Sequence, residues 1–234
     1  MKAYYRTHVG LVREQNEDTV LIDESHGIYI LADGMGGHQA GEVASYLAAV
    51  TLRDALAEGE PSVERLLRGF RQANAAVYER SQEDSQYAGM GTTMTALWDS
   101  GDCMLLGHVG DSRAYLFEND ALRQVSVDHS VVGEMVRSGA ITEAQARTHP
   151  YRNVITRAVG TEDTVRTDVM EVLRDPGAKW LLCSDGLTDM VEDADIARTL
   201  REFSGETAVE HLIDLALANG GRDNVSVLLL EVDA

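Results

Sequence analysis

The stretch ILADGMGGHQAGEVAS, residues 30–45, forces a choice of fold. An apolar, strand-like run stops on Asp33, glycines follow at once, and helical spacing begins near residue 40. The familiar glycine-rich turns do not fit. A dinucleotide-binding turn counted from Gly34 needs a third glycine at position 39, where Gln39 stands. A P-loop counted from Gly36 reaches Gly41 but then needs Lys and Ser or Thr, and meets Glu42 and Val43. The G-x-S-x-G turn of a serine hydrolase does not occur in the chain. What is left to explain is the carboxylate itself.

Outward from this stretch, the runs AYYRTHVG, DTVLID and GIYILAD read as strands, the last two joined by the polar turn ESHG. Helices are expected over 40–58 and 62–83, the second with apolar residues at Val63, Leu66, Leu67, Phe70, Ala73 and Val77 and a polar break at Asn74. TTMTALWD, CMLLGHVGD, SRAYLFEND and ALRQVSVD read as a meander of hairpins, with FENDAL a tight turn. Residues 129–157 are polar, with short helical pieces. VRTDVMEVL and AKWLLCSD are strands on either side of the turn RDPG, and helices over 193–203 and 207–218 precede a last strand, NVSVLLLEV. Helices are grouped between blocks of strands instead of alternating with them, which argues against a doubly wound parallel sheet. The class is α+β, with antiparallel sheets covered by helices. With three prolines, no repeat and no linker, residues 1–234 read as one domain.

Asp and Glu number 39 against 20 Lys and Arg, a formal charge of −19 that disfavours nucleic acid and anionic membranes as partners. Residues 1–20 lack the apolar core of a signal peptide, and no run approaches the roughly 20 apolar residues of a membrane span. Cys103 and Cys183 each sit in an apolar run and read as buried thiols of a reducing compartment. A cytoplasmic protein is expected.

Four carboxylates stand at strand ends. Asp33, Asp111 and Asp185 close apolar runs and Asp223 opens one. In antiparallel sheets an arriving and a departing strand share one rim, so the four could meet there. Gly34, Gly110 and Gly186 adjoin three of them, and Gly220 and Gly221 precede the fourth. Taken singly, an Asp-Gly pair is a turn. Clustered, carboxylates repel one another unless a positive charge sits among them. An all-oxygen site suits Mg²⁺ or Mn²⁺, and the CxxC and HExxH spacings of zinc sites are absent. Arg13, in GLVREQNED, reads either as a surface ion pair or as a bidentate phosphate clamp.

Together, GLVREQNED, ILADGMGGHQAGEVAS, GTTMTAL, HVGDSRAYL, LLCSDGLTD and GGRDNVSVLLLE resemble, in order, the motifs of the metal-dependent serine/threonine protein phosphatases of type 2C, the PPM family, in its bacterial branch. The resemblance implies a four-layer α-β-β-α sandwich, two antiparallel sheets flanked by helix pairs. It implies two or three Mn²⁺ or Mg²⁺ ions, with Asp33 bridging two of them, Gly34 offering its carbonyl, Asp185 and Asp223 holding the other, and Asp111 with Asp185 matching a third. It makes Arg13 the phosphate-binding residue, places Glu17 and Asp18 near the metal waters, and sets Asn224 behind the last ligand. Residues 129–157 match a flap beside the active site. The implied reaction is in-line attack of a metal-bridging hydroxide on phosphoserine or phosphothreonine, without a phosphoenzyme. Animal members carry a histidine two positions after the bridging aspartate; here Met35 stands there, so the general acid is a metal-bound water or His38. The implied partners are phosphorylated proteins, substrates of a companion serine/threonine kinase, and the chain is expected to be a monomer. A catalytically silent, phosphoprotein-binding regulator of the same fold is the alternative.

Overall fold

The structure, a computed structural model, describes residues 1–36 and 40–233. Strands β1 (Lys2–His8), β2 (Asp18–Asp23) and β3 (Ile28–Met35) precede helices α1 (Ala40–Ala57) and α2 (Val63–Glu83). A 3-10 turn, Ser85–Tyr87, leads into β4 (Gly91–Thr92), β5 (Met94–Asp99), β6 (Cys103–Val109), β7 (Arg113–Glu118) and β8 (Ala121–Gln124). Short helices α3 (Val131–Arg137) and α4 (Glu143–Ala146) follow, then β9 (Asp168–Leu173) and β10 (Lys179–Cys183). The chain ends with α5 (Asp185–Thr188), α6 (Asp193–Glu202), α7 (Gly205–Ala218) and β11 (Val225–Glu231).

One sheet runs β1-β11-β10-β7-β8; the other runs β2-β3-β5-β6-β9, with β4 paired to the end of β3. Every pairing is antiparallel. Successive side chains of a strand point to opposite faces, and this alternation builds the layers. In β3, Ile28 and Ile30 pack against Leu52, Leu56, Leu66 and Phe70 of α1 and α2, while Tyr29 and Leu31 face the other sheet. In β10, Leu181 and Cys183 pack under α6 and α7, while Trp180 and Leu182 point between the sheets. Three apolar layers thus separate four structural ones, which is the expected α-β-β-α sandwich.

Local chemistry fixes the boundaries. The Ser62 side chain caps α2 by accepting from the Arg65 N–H at 3.3 Å. Asn119 and Asp120 both take positive φ, 49° and 59°, as a two-residue turn between twisted strands requires. The polar break Asn74 is buried because it accepts from the Gly160 N–H at 2.8 Å and donates to the Glu162 carbonyl at 3.0 Å, tying α2 to the segment after residue 157.

Two expectations need correction. The strands after α2 are not one meander, since the chain passes from the second sheet to the first between β6 and β7. RDPG is a turn, as expected, and it carries the chain from one sheet to the other, since β9 and β10 lie in different sheets. Alternation cannot distinguish a hairpin from a change of sheet, since both faces of each sheet are apolar here. Cys103 is only half-buried, beside the β5–β6 turn, whereas Cys183 is buried and its thiol is pushed up to about 12 by desolvation. Both are free. Among the described residues, no helix is long and apolar enough to cross a membrane.

Candidate active site

At one edge of the sandwich both sheets present carboxylates. Asp111 sits on the crossover from β6 to β7, Asp185 follows β10 as the first residue of α5, and Asp223 lies two residues before β11. Asp33 does not end its strand. β3 continues through Gly34 and Met35, which pair with Thr92 and Gly91 of β4. All four aspartates line one recess of about 210 Å³, together with Arg13, Glu17 and Gly34.

The backbone around Asp33 is held on every side. Its N–H donates to Thr93 Oγ1 at 3.0 Å, and its carbonyl accepts from the Thr93 N–H and the Thr92 hydroxyl, both at 2.9 Å. The next residue has to be glycine. A Cβ on Gly34 would lie 2.1 Å from the Gly41 carbonyl oxygen and 2.6 Å from that of Glu17. Gly186 plays the same part on the other sheet, where a Cβ would fall 2.0 Å from the Asn224 carbonyl oxygen. That contact sets α5 directly against the start of β11, and so Asp185 beside Asp223.

Asn224 fastens the segment that carries Arg13. Its Oδ1 accepts from the Glu17 N–H at 2.8 Å, and its Nδ2 donates to the carbonyls of Val9 and Gln15 at 2.9 and 2.8 Å. Arg13 Nη2 donates to Asp223 Oδ2 at 2.8 Å, and this bond holds the guanidinium pKa up. Arg13 is therefore ion-paired, but with a carboxylate of the cluster, and its side chain remains 53% exposed. Glu17 lies against Gly41 in the first turn of α1, with its pKa raised mainly by burial.

Asp18 is the direct cross-strand partner of Asp33. Like charges so placed repel. Asp18 Oδ2 accepts from Ser184 Oγ at 2.9 Å, while Oδ1 is buried without a hydrogen-bond partner. Burial raises the Asp18 carboxyl to about 6. Asp33 is held well above its ordinary value first by burial and then by Asp18 and Asp185, Asp185 first by burial and then by Asp111 and Asp189, and Asp111 rises to about 7 through burial and then the charge of Asp128. Arg13 is the one cation lining the recess among the described residues.

This is a site short of positive charge. Its donors are oxygens, and beside Asp33 the Asp18 Oδ1 is buried without a partner. No three His, Cys, Asp or Glu side chains among the described residues converge closely enough to hold an ion by themselves. Hard divalent ions that keep several waters fit such a set, Mg²⁺ and Mn²⁺ among them. His38 lies outside the described residues.

Sequence reasoning missed several contributors. Thr93 and Ser184 act through hydroxyls that composition does not distinguish from any others. Asn153 and Ile155, from the 129–157 segment, reach the recess wall. That segment is rooted by His129, buried, whose Nδ1 accepts from the Gly110 N–H at 3.0 Å next to Asp111. On its other side His129 Nε2 lies 3.1 Å from Asp168 Oδ2, and Arg157 donates to the same carboxylate at 2.9 Å. Burial depresses the His129 pKa, so the ring is neutral near pH 7 and donates to Asp168.

Residues 10–217 match the family model of protein phosphatase 2C. The serine/threonine phosphatase stp of Listeria innocua is 38% identical over 243 residues, spanning 99% of this chain and 96% of that protein. The crystal structure of the Mycobacterium tuberculosis serine/threonine phosphatase PstP/Ppp superposes with a TM-score of 0.93 at 37% identity, covering 100% of this chain and 99% of that one. A structure of the catalytic domain of PstP in complex with 2 manganese ions gives 0.90 at 36% identity, covering 99% and 98%.

Proposed function

The chain belongs to the protein phosphatase 2C family, and from that premise we propose that it is a metal-dependent phosphoserine and phosphothreonine protein phosphatase, with residues 1–234 as one catalytic unit and 129–157 as its flap. The observation that carries the reading is the recess itself, where Asp33, Asp111, Asp185 and Asp223 meet with a single arginine.

Asp33, Asp185, Asp223 and the Gly34 carbonyl would hold two Mn²⁺ or Mg²⁺ ions, together with water, and Asp111 with Asp185 would hold a third. Bound there, the ions lower the pKa of water and offset the charge of a phosphoryl group. Arg13 supplies the organic cation. Half exposed, it can turn from Asp223 toward a phosphate and bind two of its oxygens in its planar fork. Asn224 keeps that arginine in place by clamping residues 9, 15 and 17. Glu17, on the recess wall, accepts hydrogen bonds from water, and Asp18 stands beside Asp33 as its cross-strand partner. The departing serine or threonine oxygen takes its proton from water or from His38. Asn153 and Ile155 of the flap shield the recess from bulk solvent.

The full set Asp33, Asp185, Asp223 and Arg13 speaks against a catalytically silent binder, and the charge of −19 against a nuclease. We further assign the protein to bacterial cytoplasmic signalling, as a monomer that reverses the work of a companion serine/threonine kinase. The deciding experiment is hydrolysis of a phosphothreonine peptide in EDTA, Mg²⁺ or Mn²⁺, beside Asp185→Ala, with ion binding followed by calorimetry. Turnover and tight ion binding are expected together, and both are lost in the variant. A folded protein that binds the ions yet turns over nothing would leave the silent binder standing.

A further inference from the structure

The recess that gathers the carboxylates has a larger neighbour. A groove of about 950 Å³ opens next to it and shares Arg13, Glu17, Gly36 and Asn224 with it. One wall is the segment carrying Arg13, with Glu14 and Gln15; the other is the 3-10 turn with Ala88. The second wall is a built element. Asp84 accepts from the Gln86 N–H at 3.0 Å and from Gln86 Nε2 at 2.7 Å, and Tyr87 packs against the α1–α2 core. The Arg80 guanidinium lies 4.7 Å from the Tyr87 ring centroid and donates to Glu83 at 3.1 Å.

A phosphoryl group needs little of this space, which is that of a site for a larger ligand. The charges are lopsided. With Arg13 turned to a phosphate and Arg80 engaged by Glu83, the groove and its rim present Glu14, Glu17 and Asp84 without a free cation among the described lining residues. Resting on the phosphatase reading, we propose that this groove seats the peptide segment flanking the phosphorylated residue, running between residues 13–15 and 85–88, and that it selects basic side chains there. The groove is continuous with the recess through Arg13 and Asn224, so one substrate can occupy both. Acidic flanking residues would meet Glu14 and be repelled.

Two phosphothreonine peptides, alike except for arginines or glutamates beside the phosphoresidue, are compared with para-nitrophenyl phosphate, which is too small to reach the groove. Wild type should favour the arginine peptide in kcat/KM. Glu14→Lys and Gln86→Lys, one on each wall, should each shift the ratio of the two peptides about two- to fivefold toward glutamate, as exposed charge pairs do. The shift should fade at high salt. Ala88→Trp, which fills the groove, should raise KM for both peptides. Turnover of the aryl phosphate should stay unchanged in all three variants. A peptide ratio that does not move while the aryl phosphate is hydrolysed overturns the groove proposal alone. Equal losses on peptide and aryl phosphate overturn it too, since the substitutions would then act on the recess. No hydrolysis of any substrate by wild type removes the phosphatase reading and the groove proposal with it.

Discussion

Removing divalent ions should make this protein less stable as pH rises through neutrality, the reverse of ordinary acid denaturation. A carboxyl whose pKa is higher in the folded than in the unfolded chain contributes stability that is fully present below the unfolded pKa and lost as pH rises through the folded one. Asp18 moves from 3.8 to about 6, Asp111 from 3.8 to about 7, and Asp33 and Asp185 lie well above their ordinary value, all chiefly through burial. His108 opposes them. Desolvation takes its pKa from 6.5 to about 4, so its contribution is present above 6.5 and lost as pH falls toward 4. His129 is lowered as well. Below pH 6.5 the histidines offset part of the carboxylate effect; above it the carboxylates act unopposed.

The clean window is therefore pH 6.5 to 8, set by the histidine value of 6.5 at its lower end and, at its upper end, by passing through Asp111 at about 7. Each proton held only by the folded state costs about 1.4 kcal/mol per pH unit. One to two such groups give a loss of roughly 1–4 kcal/mol across the window, or roughly 2–16 °C in Tm at about 2–4 °C per kcal/mol for a chain this long. Thermal unfolding by circular dichroism at pH 6.5, 7.0, 7.5 and 8.0, in EDTA and in Mn²⁺, reads this directly. In EDTA the Tm should fall; in Mn²⁺ at ~100 times Kd it should gain about 2.7 kcal/mol and lose its downward trend. Asp111→Asn should raise the EDTA Tm at pH 8. A Tm that is flat or rises with pH in EDTA would refute the view that these carboxylates repel one another in the free protein.

Arg13→Ala should pull two quantities apart. Without its charge-assisted grip, KM for a phosphopeptide should rise about 10- to 100-fold, while Mn²⁺ affinity measured by calorimetry should increase, because Asp223 loses its competing cation; an unchanged KM would remove Arg13 from phosphate binding. Asn224→Ala should lower stability by about 1–3 kcal/mol, since the Glu17 N–H and the Val9 and Gln15 carbonyls lose their partner, and should cost ~10–100-fold in activity. Urea unfolding paired with kinetics checks both, and a loss of stability without a loss of activity would make Asn224 purely structural. Gly34→Ala should destabilise by at least ~1–3 kcal/mol in the same assay, because its Cβ would strike backbone and not a movable side chain.

Much of the fold could be read in advance because the strands are strongly apolar and their boundaries are chemically marked, as at Ser62, Asn119 and Asp120. Which strands pair could not. β5 to β6 is a hairpin and β6 to β7 a change of sheet, yet the short connections 100–102 and 110–112 look alike in sequence. The difference lies in packing, since Leu106 and Leu116 belong to one interlayer core although they sit in different sheets. The candidate site was more legible than the topology because charge at the end of an apolar run is conspicuous. Its supports were less so. Thr93 holds Asp33 by a hydroxyl at a break between β4 and β5, and His129 is a buried ring inside a polar stretch, so neither advertises its partner.

The topology that hid from the sequence also ties the recess to the core between the sheets. Asp33 comes from one sheet, Asp185 and Asp223 from the other, and Asp111 from the chain that crosses between them. The spacing of these carboxylates is therefore set by how the two sheets stack. Leu31, Leu182 and Leu228, each within a few residues of a site aspartate, meet in the same interlayer core. Close-packed interiors transmit volume changes instead of absorbing them. A core built this way can hold like charges at distances they would not choose, because pulling them apart would require separating the sheets. Repulsion among the aspartates is thereby stored in the free protein and relieved when cations enter. The site's appetite for divalent ions and the pH-dependent weakness of the ion-free fold then have one physical origin.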